Sequence, residues 1–249
     1  MARAGRWFKR ILFISATLWV LLVVFFGTVR VPTSSMEPTV KEGVFVIINK
    51  FAFGLSSMNT LPIVGWYLPY HSFMQWGCPD RNDVIVFHSP LPSPTYYMKR
   101  CIAIAGDTVQ VVGDHVLING SIIPRGTAVT MPQIPDMDAS YPRNAGYTRR
   151  QWGPLRVPAA GDVLDLSGTL LAKWETLIER EGHTVDLITR TIDQQPATQY
   201  VVEQDHVFVL GDNRDNSYDS RFTGFVPTSS ITGVALLAVS TAEAPRCVR

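Results

Sequence analysis

Thr108-Val109-Gln110-Val111-Val112-Gly113-Asp114-His115-Val116-Leu117-Ile118-Asn119-Gly120-Ser121 reads as short strands joined by two-residue turns. Thr108 to Val112 and His115 to Ile118 are apolar and rich in β-branched residues, which fit a pleated, half-buried surface. Gly113, Asn119 and Gly120 tolerate the positive φ that tight hairpin turns demand. Outward from this stretch the theme continues. Val44 to Ile48, Asp83 to Phe87 and Tyr96 to Ile104 precede it, and Val201 to Leu210 and Thr232 to Val239 follow, all apolar runs of strand length. Many short strands pairing across long stretches of chain predict a mainly antiparallel β fold.

Two segments break the pattern. Arg125 to Ala160 is rich in Pro, Gly and polar residues and predicts irregular structure. After it, Leu170, Trp174, Leu177 and Ile178 recur at helical spacing, predicting one amphipathic helix. Ser167 or Thr169 caps its start and Gly182 its end, with Lys173, Glu175, Glu179 and Arg180 turned outward. This region reads as a small α/β insert packed on the β domain. Ser56 to Gly77 carries Trp66, Tyr67, Tyr70, Phe73, Met74 and Trp76 without a period. It reads either as a packed loop or as a surface dipping into the lipid interface, where amphipathic aromatics concentrate.

Ile11 to Val29 has no charged residue. As a helix it would run ~28 Å, close to the ~30 Å hydrocarbon core of a bilayer. Arg3, Arg6, Lys9 and Arg10 precede it and Arg30 follows, so the positive-inside rule keeps the N-terminus in the cytoplasm and the bulk of the chain outside. The run exceeds the ~7–15 residues usual for a cleaved signal peptide, and Gly27-Thr28-Val29 offers a poor small-x-small site. The expectation is a single, uncleaved transmembrane helix.

The chain has 249 residues, 46% hydrophobic and 17% charged, with a formal net charge of +1. That is enough to bury a core. Without a basic block beyond the N-terminal cluster it has no electrostatic footprint for nucleic acid. Cys78, Cys101 and Cys247 are odd in number and lack metal-binding or redox spacing, though a Cys78–Cys247 or Cys78–Cys101 bridge stays open in an oxidising compartment. There is no Gly-x-Ser-x-Gly elbow and no His-Glu-x-x-His. Aspartic-protease triplets and a phosphate-binding glycine loop are also lacking. His71, His88, His115, His183 and His206 read as structural or surface residues. No cofactor and no metal are expected.

What remains is a serine and a lysine. Pro32-Thr33-Ser34-Ser35-Met36-Glu37-Pro38-Thr39 holds a hydroxyl cluster between two prolines just past the apolar run. A serine hydroxyl needs a neighbouring base, and lysine serves only when neutral, which burial favours. Of 22 basic residues only Lys9, Lys41, Lys50, Lys99 and Lys173 are lysines. Lys99, on a predicted strand with Tyr97, Cys101 and Ala103 on its face, fits best. Lys50, flanked by Ile48, Phe51 and Phe53, is its rival, and the residues alone leave Ser34 and Ser35 unresolved.

These segments resemble bacterial type I signal peptidases, membrane-anchored Ser/Lys endopeptidases of the leader-peptidase family. Pro32 to Thr39 is similar to the family's nucleophile segment, in which the serine directly before Met attacks. Asp80-Arg81-Asn82-Asp83-Val84-Ile85-Val86-Phe87 resembles its second segment, with Asn82 where Gly is usual. Tyr97-Met98-Lys99-Arg100 followed by Ala105-Gly106-Asp107 resembles the general-base segment. Gly211-Asp212-Asn213-Arg214-Asp215-Asn216-Ser217-Tyr218-Asp219-Ser220-Arg221 is the most specific match. The resemblance is weakest over Ser121 to Gln199.

The resemblance implies Ser35 as nucleophile and Lys99 as general base. It implies an oxyanion hole from the Thr33 hydroxyl and the Ser35 N–H. It implies Ser217 orienting the lysine amine, with Asp212, Asp219 and Arg221 bracing the site. The disulfide of some members has no counterpart here. The implied activity is removal of signal peptides from exported preproteins after small-x-small sites; alternation along the strands makes Ile85, Val86, Tyr97 and Ile102 the candidates to line the pockets. The implied partners are those signal peptides, membrane lipid and the secretion machinery. The implied place is the plasma membrane, single-pass, with the catalytic domain on the outer, periplasmic or extracellular, side. A peptidase dedicated to one exported substrate and an inactive anchored assembly protein are the competing readings. The expected organisation is a basic tail over 1–10, an anchor over 11–29, a catalytic β domain over 30–120 and 200–249, and the insert over 121–199.

Overall fold

Both hairpin turns of Thr108 to Ser121 form as the sequence predicts. In the computed structural model Gly113, Asn119 and Gly120 have φ of 59°, 53° and 81°. The structure describes residues 2–56, 72–88, 96–124, 141–240 and 244–248. The first half contains α1 (Ala2–Phe25), β1 (Phe26–Arg30), β2 (Phe45–Asn49), β3 (Gly54–Ser56), β4 (Ser72–Gln75), β5 (Val84–His88), β6 (Tyr96–Ala103), β7 (Thr108–Val112), β8 (His115–Ile118) and β9 (Ser121–Ile123). The middle adds β10 (Gln151–Arg156), β11 (Val163–Asp165), α2 (Leu170–Arg180), β12 (Val185–Asp186), β13 (Thr191–Ile192), β14 (Gln195–Pro196) and β15 (Gln199–Val201). The chain ends with β16 (His206–Leu210), α3 (Ser220–Thr223), β17 (Val226–Pro227), β18 (Ile231–Val239) and β19 (Arg246–Cys247).

The main sheet has eight strands in the order β1-β2-β18-β5-β6-β16-β17, with β19 on β18. A second sheet of four follows the order β10-β7-β8-β9, and among the described residues every strand pairing is antiparallel. The fold is therefore mainly β. Central β5 is covered on both faces. Val84 and Val86 join a core with Val46, Ile48 and Met36, while Ile85 and Phe87 join another with Cys101, Val207 and Val209. This period-2 division is what a strand produces when both of its faces are buried.

Several expectations change in detail. Val201 to Leu210 is two strands, because the Glu181 carboxylate accepts from the N–H groups of Glu203 and Gln204 and from the Tyr200 hydroxyl, holding a turn between them. In α2 the buried stripe is Leu171, Trp174, Leu177 and Ile178. Its N-cap, Thr169, makes no side-chain cap bond. The Ser167 hydroxyl instead donates to Asp165, and Gly182 follows the helix at φ 102°. Arg180 does not point outward: its guanidinium turns in to the carbonyls of Thr223 and Phe225. Asn82, where glycine is usual, takes φ 77°. Cys78, Cys101 and Cys247 are free thiols.

The apolar run over 11–29 is divided. α1 contains the basic residues and ends at Phe25, and Phe26–Arg30 pairs with β2 as an edge strand. That leaves 11–25, ~22 Å of helix, and among the described residues no helix is long and apolar enough to cross a membrane. Trp66, Tyr67 and Tyr70 lie outside the described residues. Met74 and Trp76 are exposed, and the Trp76 ring packs 4.3 Å from Phe51, whose own ring is 4.8 Å from Phe25.

Candidate active site

After β1 the chain is pinned to the residues leading into β2 by bonds from Val31 N–H to Val44 O and from Gly43 N–H to Val31 O. Thr33 is extended, and Ser34–Met36 then closes one 3-10 turn. Met36, fully buried, and Val40 anchor this turn in the core, and Val40 N–H donates to Met36 O. The two neighbouring serines thereby face different partners. The Ser34 hydroxyl accepts from Asn216 Nδ2 at 2.9 Å, whereas Ser35 Oγ lies 2.6 Å from Lys99 Nζ. Thr33 Oγ1 is 3.2 Å from the same Ser35 Oγ. The Ser35 N–H lies in the first turn of this 3-10 segment, where backbone donors lack intrahelical acceptors.

Lys99 sits on β6, opposite Ile85 of β5, and is 3% exposed. Burial lowers its pKa from 10.5 to about 8, against the opposing pull of the Asp219 and Asp212 carboxylates. Those charges are largely occupied. Asp212 receives both arms of Arg100, at 2.8 and 2.7 Å, and the Thr39 hydroxyl at 2.5 Å. Asp219 receives two arms of Arg221, each at 2.8 Å, and the Gly211 N–H at 3.1 Å. Burial pushes the Asp219 carboxyl up, but the Arg221 charge and these bonds hold it below the usual carboxylate range.

The loop from Gly211 to Arg221 closes over the Ser34–Met36 turn. Asn213 donates its N–H to Ser35 O and its side-chain amide to Ser34 O. Gly211 is required by close approach, since a Cβ there would lie 2.6 Å from Ser35 O and 2.3 Å from Ser217 Oγ. The Ser217 hydroxyl is buried and makes no hydrogen bond, to Lys99 or to any other described group, although it lies near enough to Asp219 to favour its carboxylate. Thr33, Ser35, Lys99, Asp212, Ser217, Asp219 and Arg221 are thus gathered in one place, with Ser217 making no hydrogen bond to the amine.

Arg100, Thr39, Asn213, Asn216 and Gly211 complete the arrangement. Of these, sequence reasoning had assigned no role to any. All five lie in the segments that carry the resemblance, and that placement is the signal that points to them.

A cleft of about 880 Å³ opens on the pair. One wall is Val29 and Val31 to Met36, a second Tyr96 to Lys99, and a third Arg149, Asp215 to Tyr218 and Phe222. Tyr97 lines it as expected. Ile85, Val86 and Ile102 do not, because strand alternation buries them in the cores. Lys50, half buried with its pKa lowered by burial, is not on the cleft. On β6 the pairing with β16 begins only at Arg100, so among the described residues Tyr97 to Lys99 have a ladder partner on the β5 side alone. The cleft therefore combines a serine, a lysine amine able to be neutral, and open strand edges, a chemistry suited to acyl transfer on an extended peptide.

The family model "Signal peptidase, peptidase S26" matches residues 4–240. The signal peptidase I of Aquifex aeolicus (strain VF5) is 28% identical over 220 residues, covering 86% of this chain and 76% of that protein. The signal peptidase I of Pseudomonas aeruginosa is 28% identical over 242 residues, covering 93% of this chain and 69% of that protein. A crystal structure of a signal peptidase I from Enterococcus faecalis V583 is 25% identical, covers 64% of this chain and 97% of its own, and superposes with a TM-score of 0.30. With its matched region running from α1 to the end of β18, the chain belongs to the signal peptidase family, peptidase S26, as a hydrolase of the signal peptidase I kind.

Proposed function

We propose that this chain is a membrane-anchored serine endopeptidase that removes signal peptides from exported preproteins, with Ser35 as nucleophile and Lys99 as base. Family membership supports the activity. The observation that carries the residue assignment is the 2.6 Å contact between Ser35 Oγ and a lysine amine whose pKa is lowered to about 8 by burial. Neutral Lys99 takes the Ser35 proton as Oγ attacks the scissile carbonyl. The Thr33 hydroxyl and Ser35 N–H donate to the oxyanion. The protonated amine then delivers its proton to the leaving nitrogen, and a water activated by the same amine hydrolyses the acyl-serine. The buried Ser217 hydroxyl, without a partner among the described groups, turns to the amine during turnover and orients it, and the Asp212–Arg100 and Asp219–Arg221 pairs hold the wall behind it.

The substrate enters as an added strand along the open edges of Tyr97 to Met98 and Val29 to Thr33. Backbone hydrogen bonds supply affinity, and alternate side chains drop into shallow pockets, so small residues are selected immediately before the cut and two positions earlier. The uncharged part of α1, residues 11–25, is the anchor that holds the enzyme, single-pass, in the plasma membrane, the rest of the apolar run having joined the sheet as β1. The basic 1–10 tail is cytoplasmic, and the β domain over 30–120 and 200–249, with its 121–199 insert, lies outside. Membrane lipid and the secretion machinery are its surroundings there.

The test is to incubate the detergent-solubilised protein with a preprotein and sequence the new N-terminus. Cleavage after a small-x-small site is expected. Efficient cutting at the same bond after Leu replaces the small residue before it would overturn the pocket argument.

A further inference from the structure

Two aromatic residues of the cleft take no part in the chemistry above. Tyr218 and Phe222 both line it, with ring centroids 5.5 Å apart and an interplanar angle of 19°. They flank buried Asp219 at the start of α3 and meet across one turn of chain. Their support is firm. Tyr141 N–H donates to Arg221 O, and Arg180 binds the Thr223 and Phe225 carbonyls that follow. Yet Tyr218 remains 49% exposed. A ring that served only to staple α3 would gain by burying both faces.

The loop that carries this stack meets the nucleophile turn through Asn213 and Asn216, whereas Val29 to Thr33 and Tyr96 to Met98 run up to the dyad from their own strands. A peptide whose acyl half lies between those two edges, with its carbonyl over Ser35, carries its leaving half across Asn216 to Phe222. We infer that the Tyr218–Phe222 stack is a specificity wall for the first residues after the scissile bond, taking an apolar or flat side chain against its exposed face. The inference rests on the Ser35/Lys99 reading. A ring face gives no advantage to glycine, which brings no side-chain surface to bury.

The test measures kcat/KM of the detergent-solubilised full chain on peptides with Ala-x-Ala before the cut and Gly, Leu or Phe at either of the two positions after it. The wild-type chain should prefer Leu and Phe to Gly at one of them by about five-fold, from the stacking contribution of an aromatic face. Tyr218→Ala and Tyr218→Gln should each bring that ratio below about two-fold, and Tyr218→Phe should keep it, while the Ala-over-Leu preference before the cut stays unchanged. A wild-type ratio near one at both positions, a ratio that survives loss of the ring, or a change confined to the residue before the cut would overturn the wall and leave the dyad standing. Failure of the wild-type chain to cut any of these peptides, or cutting by Ser35→Ala, would remove the dyad reading and the wall with it.

Discussion

Ser35 Oγ and Lys99 Nζ, 64 positions apart in the chain, lie 2.6 Å from each other, while the adjacent Ser34 hydroxyl is held by Asn216. Ser35→Ala and Lys99→Ala should therefore each lower kcat/KM by ~10³-fold or more, and the double variant should be hardly worse than either, because the two groups act as a unit. Ser34→Ala should retain most activity. Cleavage of a preprotein followed by gel shift reads all four, and a near-normal rate from Ser35→Ala would exclude the mechanism.

The base must be neutral to act, so kcat/KM should rise with pH through a midpoint of about 8, the value to which burial lowers Lys99. Below it the rate should fall about ten-fold per pH unit. Lys99→Arg should be inactive across the range, since a guanidinium does not deprotonate. Substantial activity in that variant would move the base to Lys50 or another group.

The same shift has a consequence for stability. Because the pKa of Lys99 is lower in the folded chain than its ordinary 10.5, the unfolded chain binds the proton more tightly, and stability rises with pH between about 8 and 10.5. Below that window the buried ammonium costs the fold ~3 kcal/mol, less what its bond to Ser35 returns. Lys99→Met should thus stabilise the protein at pH 7 by ~1–3 kcal/mol while abolishing activity. The gain should shrink at pH 10. Chemical denaturation at the two pH values measures it, and an equal difference at both would show that no buried charge is relieved.

Ser217→Ala should lower kcat more than it raises KM, because the proposed role is to aim the amine rather than to bind substrate. Steady-state kinetics on one peptide decides this. A loss carried by KM alone would count against orientation.

Gly211→Ala should damage the site through its backbone. The new Cβ would meet Ser35 O at 2.6 Å and Ser217 Oγ at 2.3 Å, so the nucleophile turn or the loop must shift. We expect a cost of ~1–3 kcal/mol in stability and a fall in kcat larger than stability alone explains. A thermal melt beside the kinetics separates the two, and unchanged kcat would mean that the turn absorbs the methyl group.

Hairpin turns were legible because their demand is local. Gly113, Asn119 and Gly120 reach positive φ at little cost in any surroundings, so their positions announce the turns before any strand is paired. Asn82 behaves the same way. The amphipathic spacing of α2 likewise survives because helix periodicity is carried by neighbouring residues. The break between Val201 and His206 was not legible, since the Glu181 carboxylate that holds it comes from the end of α2. Nor was the inward turn of Arg180, whose acceptors lie beyond α3.

For the site, the sequence alone determined a nucleophile segment set between prolines and two candidate lysines, and the family resemblance chose among them. Only tertiary structure decided that Ser35 and Ser34 point to different partners and that Lys99 lies beside Ser35. It also decided that Arg100 occupies Asp212 and that Lys50 stays off the cleft. The physical reason is that turn geometry depends on a residue and its neighbours, whereas the removal of water from an amine depends on what the rest of the chain brings against it.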